Sequence, residues 1–178
     1  MIKNEAFLLR AVEPGDLELL YDWENRMELW SVSNTLTPFS KAQLARYVKN
    51  AALDVFQTKQ LRLMIDAYNL QEMPLTVGMI DLFDYDPYHN RAGVGIMVNS
   101  EWRGRGVAAS ALKLFMGYAF NTLGLHQLYC HITESNAASI KLFESAGFRL
   151  IGVKQEWLRT SAGYQDELMF QCLKVDFR

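Results

Sequence analysis

The chain has 178 residues, half of them hydrophobic and 21% charged, which excludes an intrinsically disordered protein and lets a core bury about 70% of the surface the unfolded chain exposes. Eighteen Lys and Arg against twenty Asp and Glu leave a formal net charge of −2, without the positive excess of a general nucleic-acid binder, so no nucleic-acid partner is expected. No apolar run approaches the ~20 residues of a membrane-spanning helix, Met1 to Glu5 hold no signal-peptide core, and the cysteines Cys130 and Cys172 cannot make a disulfide scaffold. The expectation is one domain over 1–178, in a reducing cytoplasm, with no membrane partner.

In chain order, Phe7 to Arg10 reads as a short strand. Glu13-Pro14-Gly15-Asp16 then opens a helix, with Pro in the first turn where its missing N–H costs nothing. Leu17, Leu20 and Tyr21 share its apolar face. Ser40-Lys41-Ala42-Gln43 has capping-box spacing and starts a second helix running to about Leu53. Leu61, Leu63 and Ile65 alternate with Arg62, Met64 and Asp66 at strand spacing. Thr76 to Phe83 and Ala92 to Val98 are β-rich runs joined by the turn residues Asp86-Pro87-Tyr88-His89-Asn90. From Val107 to Leu123 the residues Ala108, Ala111, Leu112, Phe115, Met116, Ala119 and Phe120 recur every three or four positions, which predicts an amphipathic helix closed by Gly124. A strand from His126 to Ile132 and a helix from Asn136 to Ala146, closed by Gly147, come next. Two last strands, Phe148 to Val153 and Glu167 to Leu173, are joined by a loop through Gly163. This order predicts a mixed α/β sheet of about seven strands with helices on both faces. The strands flanking the long helix should run parallel.

The chemistry concentrates between Val94 and Ala108, where a strand runs through Arg103-Gly104-Arg105-Gly106-Val107-Ala108 into that helix. A helix N-terminus presents N–H groups without intrahelical partners and the positive end of the dipole. Glycines let an anion approach them, and arginines add charge-assisted donors. The residues suit a pyrophosphate cradle and suit equally a Gly-containing turn with two solvated arginines. No Gly-Lys-Ser/Thr follows, as a nucleotide-hydrolase loop requires, and Ala109 with no acid about 20 residues on departs from the dinucleotide fingerprint.

The run Arg103-Gly104-Arg105-Gly106-Val107-Ala108 resembles the Arg/Gln-x-x-Gly-x-Gly/Ala motif of the GNAT N-acetyltransferase superfamily. Asn136 to Phe148, an Asn-led helix ending in Gly-Phe, is similar to its second signature, one helix and one strand further on. The resemblance runs from Phe7 to Leu173. Tyr21-Asp22-Trp23-Glu24-Asn25 and Gly163-Tyr164-Gln165-Asp166 look most like the branch holding spermidine and ribosomal-protein N-terminal acetyltransferases.

The resemblance implies a GNAT-like twisted sheet with a central strand pair splayed between the strand ending at Val98 and the one ending near Thr133. Acetyl-CoA, as cosubstrate, would fill the wedge. Backbone groups of Ile96, Met97 and Val98 would pair with its pantetheine, and one N–H would steady the thioester oxyanion. N–H groups from Arg103, Gly104, Arg105, Gly106, Val107 and Ala108 would hold the pyrophosphate. Asn136 and Ser139 would line the other side, with a helix cap as the coexisting role of Asn136. Phe143 stands where many relatives carry a Tyr taken to protonate the leaving thiolate, and it is expected to pack against the pantetheine instead. The implied activity is transfer of acetyl to a primary amine, a polyamine-like small molecule or a protein N-terminus, by direct attack in a ternary complex. Phe143 motivates the alternative of a non-catalytic acyl-CoA-binding regulatory module.

Asp84 and His131 are the candidate catalytic groups for the amine's proton, with Asp81 a further carboxylate on the hairpin. Asp84 and Tyr164 are the candidate acceptor-binding residues. Gly93 departs from the spermidine branch, which carries an acid there. Asp22, Glu24 and Glu28 suit either attraction of a cation or a solvated helix face. Cys130, within a strand, reads as a small apolar residue rather than a nucleophile. No metal site is expected, and a homo-oligomer is compatible with the chain.

Overall fold

The computed structural model describes residues 2–33, 35–68 and 74–177. Fourteen of its elements matter here. In chain order they are β1 (Ile2–Lys3), β2 (Phe7–Ala11), α1 (Leu17–Glu24), α2 (Met27–Ser33), α3 (Lys41–Asn50), α4 (Val55–Thr58), β3 (Leu61–Ala67), β4 (Leu75–Asp86), β5 (Arg91–Val98), α5 (Val107–Asn121), β6 (Gln127–Thr133), α6 (Ala137–Ser145), β7 (Arg149–Thr160) and β8 (Gly163–Leu173). The strands form one eight-stranded sheet in the order β1-β2-β3-β4-β5-β6-β8-β7. Every neighbouring pair is antiparallel except β5 and β6, which are parallel as expected for strands joined through α5.

Two apolar layers cover the sheet. On one face α5 buries Val107, Ala111, Leu112, Phe115, Met116, Ala119 and Phe120 against Ile80, Leu82, Val94, Leu128 and Phe170. Each large side chain so buried contributes roughly 1.5–3 kcal/mol relative to exposure. On the other face Leu20 and Trp23 of α1 and Val48 of α3 close over Met64 and Met79. Strand alternation divides the two sides, with Leu128, Cys130 and Ile132 of β6 buried while Tyr129, His131 and Thr133 turn the other way.

The capping box at Ser40 forms as its spacing predicts: Gln43 N–H donates to Ser40 Oγ at 3.2 Å, and Ser40 N–H donates to Gln43 Oε1 at 2.8 Å. Four expectations need correction. The sheet has eight strands rather than seven because Ile2 and Lys3 pair with Leu9 and Leu8. The short helices α2 and α4 were not anticipated. In α1 the second buried residue is Trp23 at 1% exposure, not Tyr21 at 37%. The stretch between Val153 and Glu167 is no loop: β7 and β8 continue to a tight hairpin in which Thr160 faces Gly163. As the sheet's outermost strand, β7 is largely exposed on both sides, so it lacks the in-out alternation that marks a strand.

Before α1, Asp16 is 7% exposed and accepts two bonds from Arg10, at 2.7 and 2.8 Å. Burial pushes its carboxyl up, but the Arg10 guanidinium and the Glu13 N–H outweigh that and leave it below the ordinary value of 3.8. A carboxyl depressed on folding stabilises the native state fully above its unfolded pKa, and this is lost as pH falls through the folded value. Urea midpoints should therefore decline below about pH 4 through this group. In Asp16→Asn that part of the decline should vanish; an unchanged slope would refute the assignment.

Candidate active site

The parallel pair at the centre of the sheet is short. Arg91, Ala92 and Gly93 pair with Gln127, Leu128 and Tyr129, whereas β5 runs on to Val98 and β6 to Thr133. Beyond Gly93 the strands have no mutual register, so a wedge opens between Val94–Val98 and Cys130–Thr133. On the other side β5 remains paired with β4 as far as Gly78↔Val98. Asn99 N–H donates to Val77 O at 2.9 Å. By the alternation of an antiparallel ladder, the backbone groups of Met97 and Gly95 then face β4, and those of Val94, Ile96 and Val98 face the wedge. Of the three expected backbone partners, Ile96 and Val98 are aimed at the opening and Met97 is not.

The turn after β5 is shaped by two glycines in the left-handed region, Gly104 at φ 73° and Gly106 at φ 77°. A Cβ at either would meet no protein atom within 4 Å, so glycine there serves backbone conformation and open space above the amides, not packing. Gly106 is the residue on which α5 begins, and no side chain caps that end. The arginines part company. Arg103 Nε donates back to Val98 O at 3.1 Å, which ties the turn to β5 and occupies the carbonyl of one wedge residue. Arg105 lies over the Trp102 ring at 5.2 Å. Across the wedge, Asn136 Oδ1 accepts from Ser139 N–H at 3.1 Å, capping α6. Phe143 is 4% exposed and meets Phe148 edge-on at 5.0 Å.

The face of β6 that carries Tyr129 and His131 holds the titratable groups. Asp84 sits in a bulge of β4, where the register to β5 shifts between Phe83 and Asp86, and adopts φ 50°. Bulges and left-handed non-glycine residues re-aim side chains and gather at functional sites. Asp84 is close enough to bias Tyr129 and His131 electrostatically. The Phe83 ring fills the space a Gly93 side chain would need, at 2.2 Å from a built Cβ, and packs edge-on to Tyr129 at 6.1 Å. His131 Nδ1 lies 3.4 Å from Glu167 Oε2. Burial, then Lys154, pull the imidazole below its usual 6.5, against opposing pulls from Glu167 and Asp84.

Other sequence candidates fall away from this group. Asp81 is engaged by Arg62 through bonds of 2.6 and 2.8 Å, and Arg62 also bonds Glu24, so neither acid is free to take a proton. Asp22 pairs with Arg26. Tyr164 stands near the β7–β8 tip opposite Arg159, 63% exposed; among the described residues no hydrogen bond or ring contact joins it to His131. Cys130 is 2% exposed and burial pushes its thiol far up, which suits packing. No group of His, Cys, Asp and Glu that could hold a metal ion occurs among the described residues, and no described helix is long and apolar enough to cross a membrane.

Glu167 and Lys154 were missed in the sequence. Only the cross-strand register Lys154↔Glu167 and Thr133↔Glu167 brings them to His131. The available signal was an acid opening the apolar run Leu168 to Phe170.

A parallel pair parted beside a glycine turn that opens a long helix leaves unpaired backbone groups and a bare helix N-terminus, which suit a ligand with amide groups and an anionic end. Residues 7–149 match the acetyltransferase (GNAT) domain, and the chain belongs to that family. It is an acetyl-CoA-dependent N-acetyltransferase. The spermidine N(1)-acetyltransferase of Vibrio cholerae serotype O1 is 24% identical over 163 residues, 92% of this chain and 90% of that one. The spermidine N(1)-acetyltransferase of Escherichia coli K12 is 33% identical over 75 residues, 42% of this chain and 40% of its own. The crystal structure of the spermidine N-acetyltransferase from Vibrio cholerae in complex with CoA and spermine shares the fold with a TM-score of 0.85 at 25% identity, covering 97% of this chain and 98% of that one.

Proposed function

We propose that this acetyltransferase works on a cationic aliphatic primary amine of the polyamine type. The observation that carries the reading is the exposed acid Asp84, held by its bulge beside Tyr129 and His131 on the acceptor face. A carboxylate there attracts an ammonium and holds it near the wedge, and the Phe83 and Tyr129 rings offer apolar surface to a methylene chain. Relatives that act on spermidine support the same substrate class.

In this reading the amides from Arg103 to Ala108 hold the pyrophosphate, with Asn136 and Ser139 lining the cosubstrate from α6. Ile96 and the N–H of Val98 pair with the pantetheine, and a wedge-facing N–H of β5 polarises the thioester carbonyl. The neutral amine attacks from the Tyr129–His131 side. Phe143, 4% exposed, has no proton to donate. One domain spans 1–178, and the site of action is the cytoplasm, in keeping with two buried free cysteines.

The test is release of free CoA thiol from acetyl-CoA with spermidine, spermine, a monoamine and a peptide N-terminus. Spermidine or spermine should exceed the monoamine at least tenfold in kcat/KM, and Asp84→Asn should erase most of that preference. A peptide outpacing every polyamine would overturn the acceptor assignment. Saturable CoA binding without amine-stimulated thiol release would instead establish a binding module.

A further inference from the structure

We propose that His131, positioned by Glu167 and Lys154, shuttles one proton from the attacking nitrogen to the departing sulfur. This rests on amine acetylation but not on which amine is acetylated. The geometry is a three-group cluster built from three strands. Glu167 on β8, 6% exposed, accepts from Lys154 Nζ of β7 at 2.6 Å. The same oxygen, Oε2, stands 3.4 Å from His131 Nδ1 of β6. Lys154 Nζ is 3.5 Å from that nitrogen as well. Of the two groups facing Nδ1, Glu167 can only accept and Lys154 can only donate; in the shuttle Nδ1 carries the proton, given to the nearer carboxylate, which leaves Nε2 on the far side of the ring as the acceptor.

His131 lies beyond Tyr129, the last residue of β6 with a partner on β5, and therefore flanks the wedge. The other groups facing it are Asp84 of β4 and the Tyr129 ring, edge-on at 5.6 Å. A nearly buried carboxylate is costly without a cation, which accounts for Lys154. Burial first, and Lys154 after it, oppose protonation of the imidazole. Phe143 has no proton to donate, so the proton that ends on sulfur comes from another group or from water.

The step balances. The neutral amine adds to the thioester carbon, forming the C–N bond and a tetrahedral intermediate with a positive nitrogen and an oxyanion. That nitrogen is far more acidic than the free ammonium and gives one proton to Nε2. As the intermediate collapses, the C–S bond breaks with its electron pair on sulfur, and the imidazolium returns the proton there. The products are the N-acetyl amine, one hydrogen remaining on its nitrogen, and CoA thiol.

The cluster is tested by opposite shifts. The acid limb of kcat against pH, measured with the best acceptor of the panel, should move to higher pH in Lys154→Met, which removes a cation and leaves Glu167 to favour the imidazolium. It should move to lower pH in Glu167→Gln, with a fall in kcat from lost orientation, while Lys154→Arg stays near the parent. His131→Gln should lose the limb and ~10²–10⁴-fold in kcat, with KM for acetyl-CoA nearly unchanged. The His131 ring titration followed by NMR should show the same two opposite shifts, and it is readable without any turnover. Shifts in one direction, no shift in either variant, or His131→Gln within threefold of the parent kcat would each overturn the proposal. A parent protein that titrates as described but acetylates no amine would instead remove the functional reading above and, with it, the shuttle.

Discussion

Replacing Arg62 with Met should lower stability by about 3–5 kcal/mol, the cost of leaving a buried ion pair with one partner removed. For a chain of this length that amounts to a fall of roughly 6–20 °C in Tm, at about 2–4 °C per kcal/mol. Arg62 sits on β3 between Asp81 of β4 and Glu24 of α1, its side chain 14% exposed and theirs 28% and 13%. Its guanidinium lies 5.2 Å from the Tyr47 ring centroid. Burial alone would lower its pKa, but Asp81, Tyr47 and Glu24 hold it well above the ordinary value, so it stays charged at any working pH. The substitution strands two acids under α1, where Leu20 and Trp23 meet the sheet. The triple variant Arg62→Met, Asp81→Leu, Glu24→Gln should recover most of the loss, because an apolar replacement of a whole buried network is often neutral or better. Thermal unfolding of the set decides it. If Arg62→Met melts within 2 °C of the parent, the network contributes little, and Asp81 becomes available as a base.

How far the sequence reached depends on whether a feature is local. The α5 helix follows from a repeat every three or four residues, and its buried face matches the expected one except that Val107 is buried and Ala108 only partly so. The Ser40 capping box follows from spacing alone. The parting of β5 from β6 was implied only by the two linked motifs, since nothing in a single strand announces that its neighbour will diverge. Features made by register were hidden. Lys154 is 23 residues from His131, and Glu167 is 36 residues from it by position, so their meeting depends on how three strands align. Arg103 and Arg105 look alike in the sequence, yet one bonds Val98 O and the other covers Trp102. Phe143 was expected against the pantetheine because it stands where many relatives in the resembled family carry Tyr. In the structure its ring meets Phe148 edge-on within the apolar core.

Gly106→Val should raise KM for acetyl-CoA by at least tenfold while the protein still folds. Two effects combine at this position. A β-branched residue at φ 77° costs roughly 1–2 kcal/mol in backbone strain, and its side chain enters space that no protein atom occupies within 4 Å. That space lies at the start of α5, where the proposed function puts the pyrophosphate. Strain and blockage are separable, because Gly124 beyond the other end of α5 has nearly the same conformation, φ 71°, and the same freedom from contacts. Gly124→Val should therefore lose similar stability, about 2–8 °C in Tm for 1–2 kcal/mol, yet keep KM for acetyl-CoA within twofold. A phosphate group competing for the same amides should protect the parent and the Gly124 variant from heat, and should protect the Gly106 variant less. Equal KM values in the two variants would mean that the glycine turn shapes the chain without holding the cosubstrate. The anion would then have to be held by the guanidinium of Arg105 or the far side of the wedge.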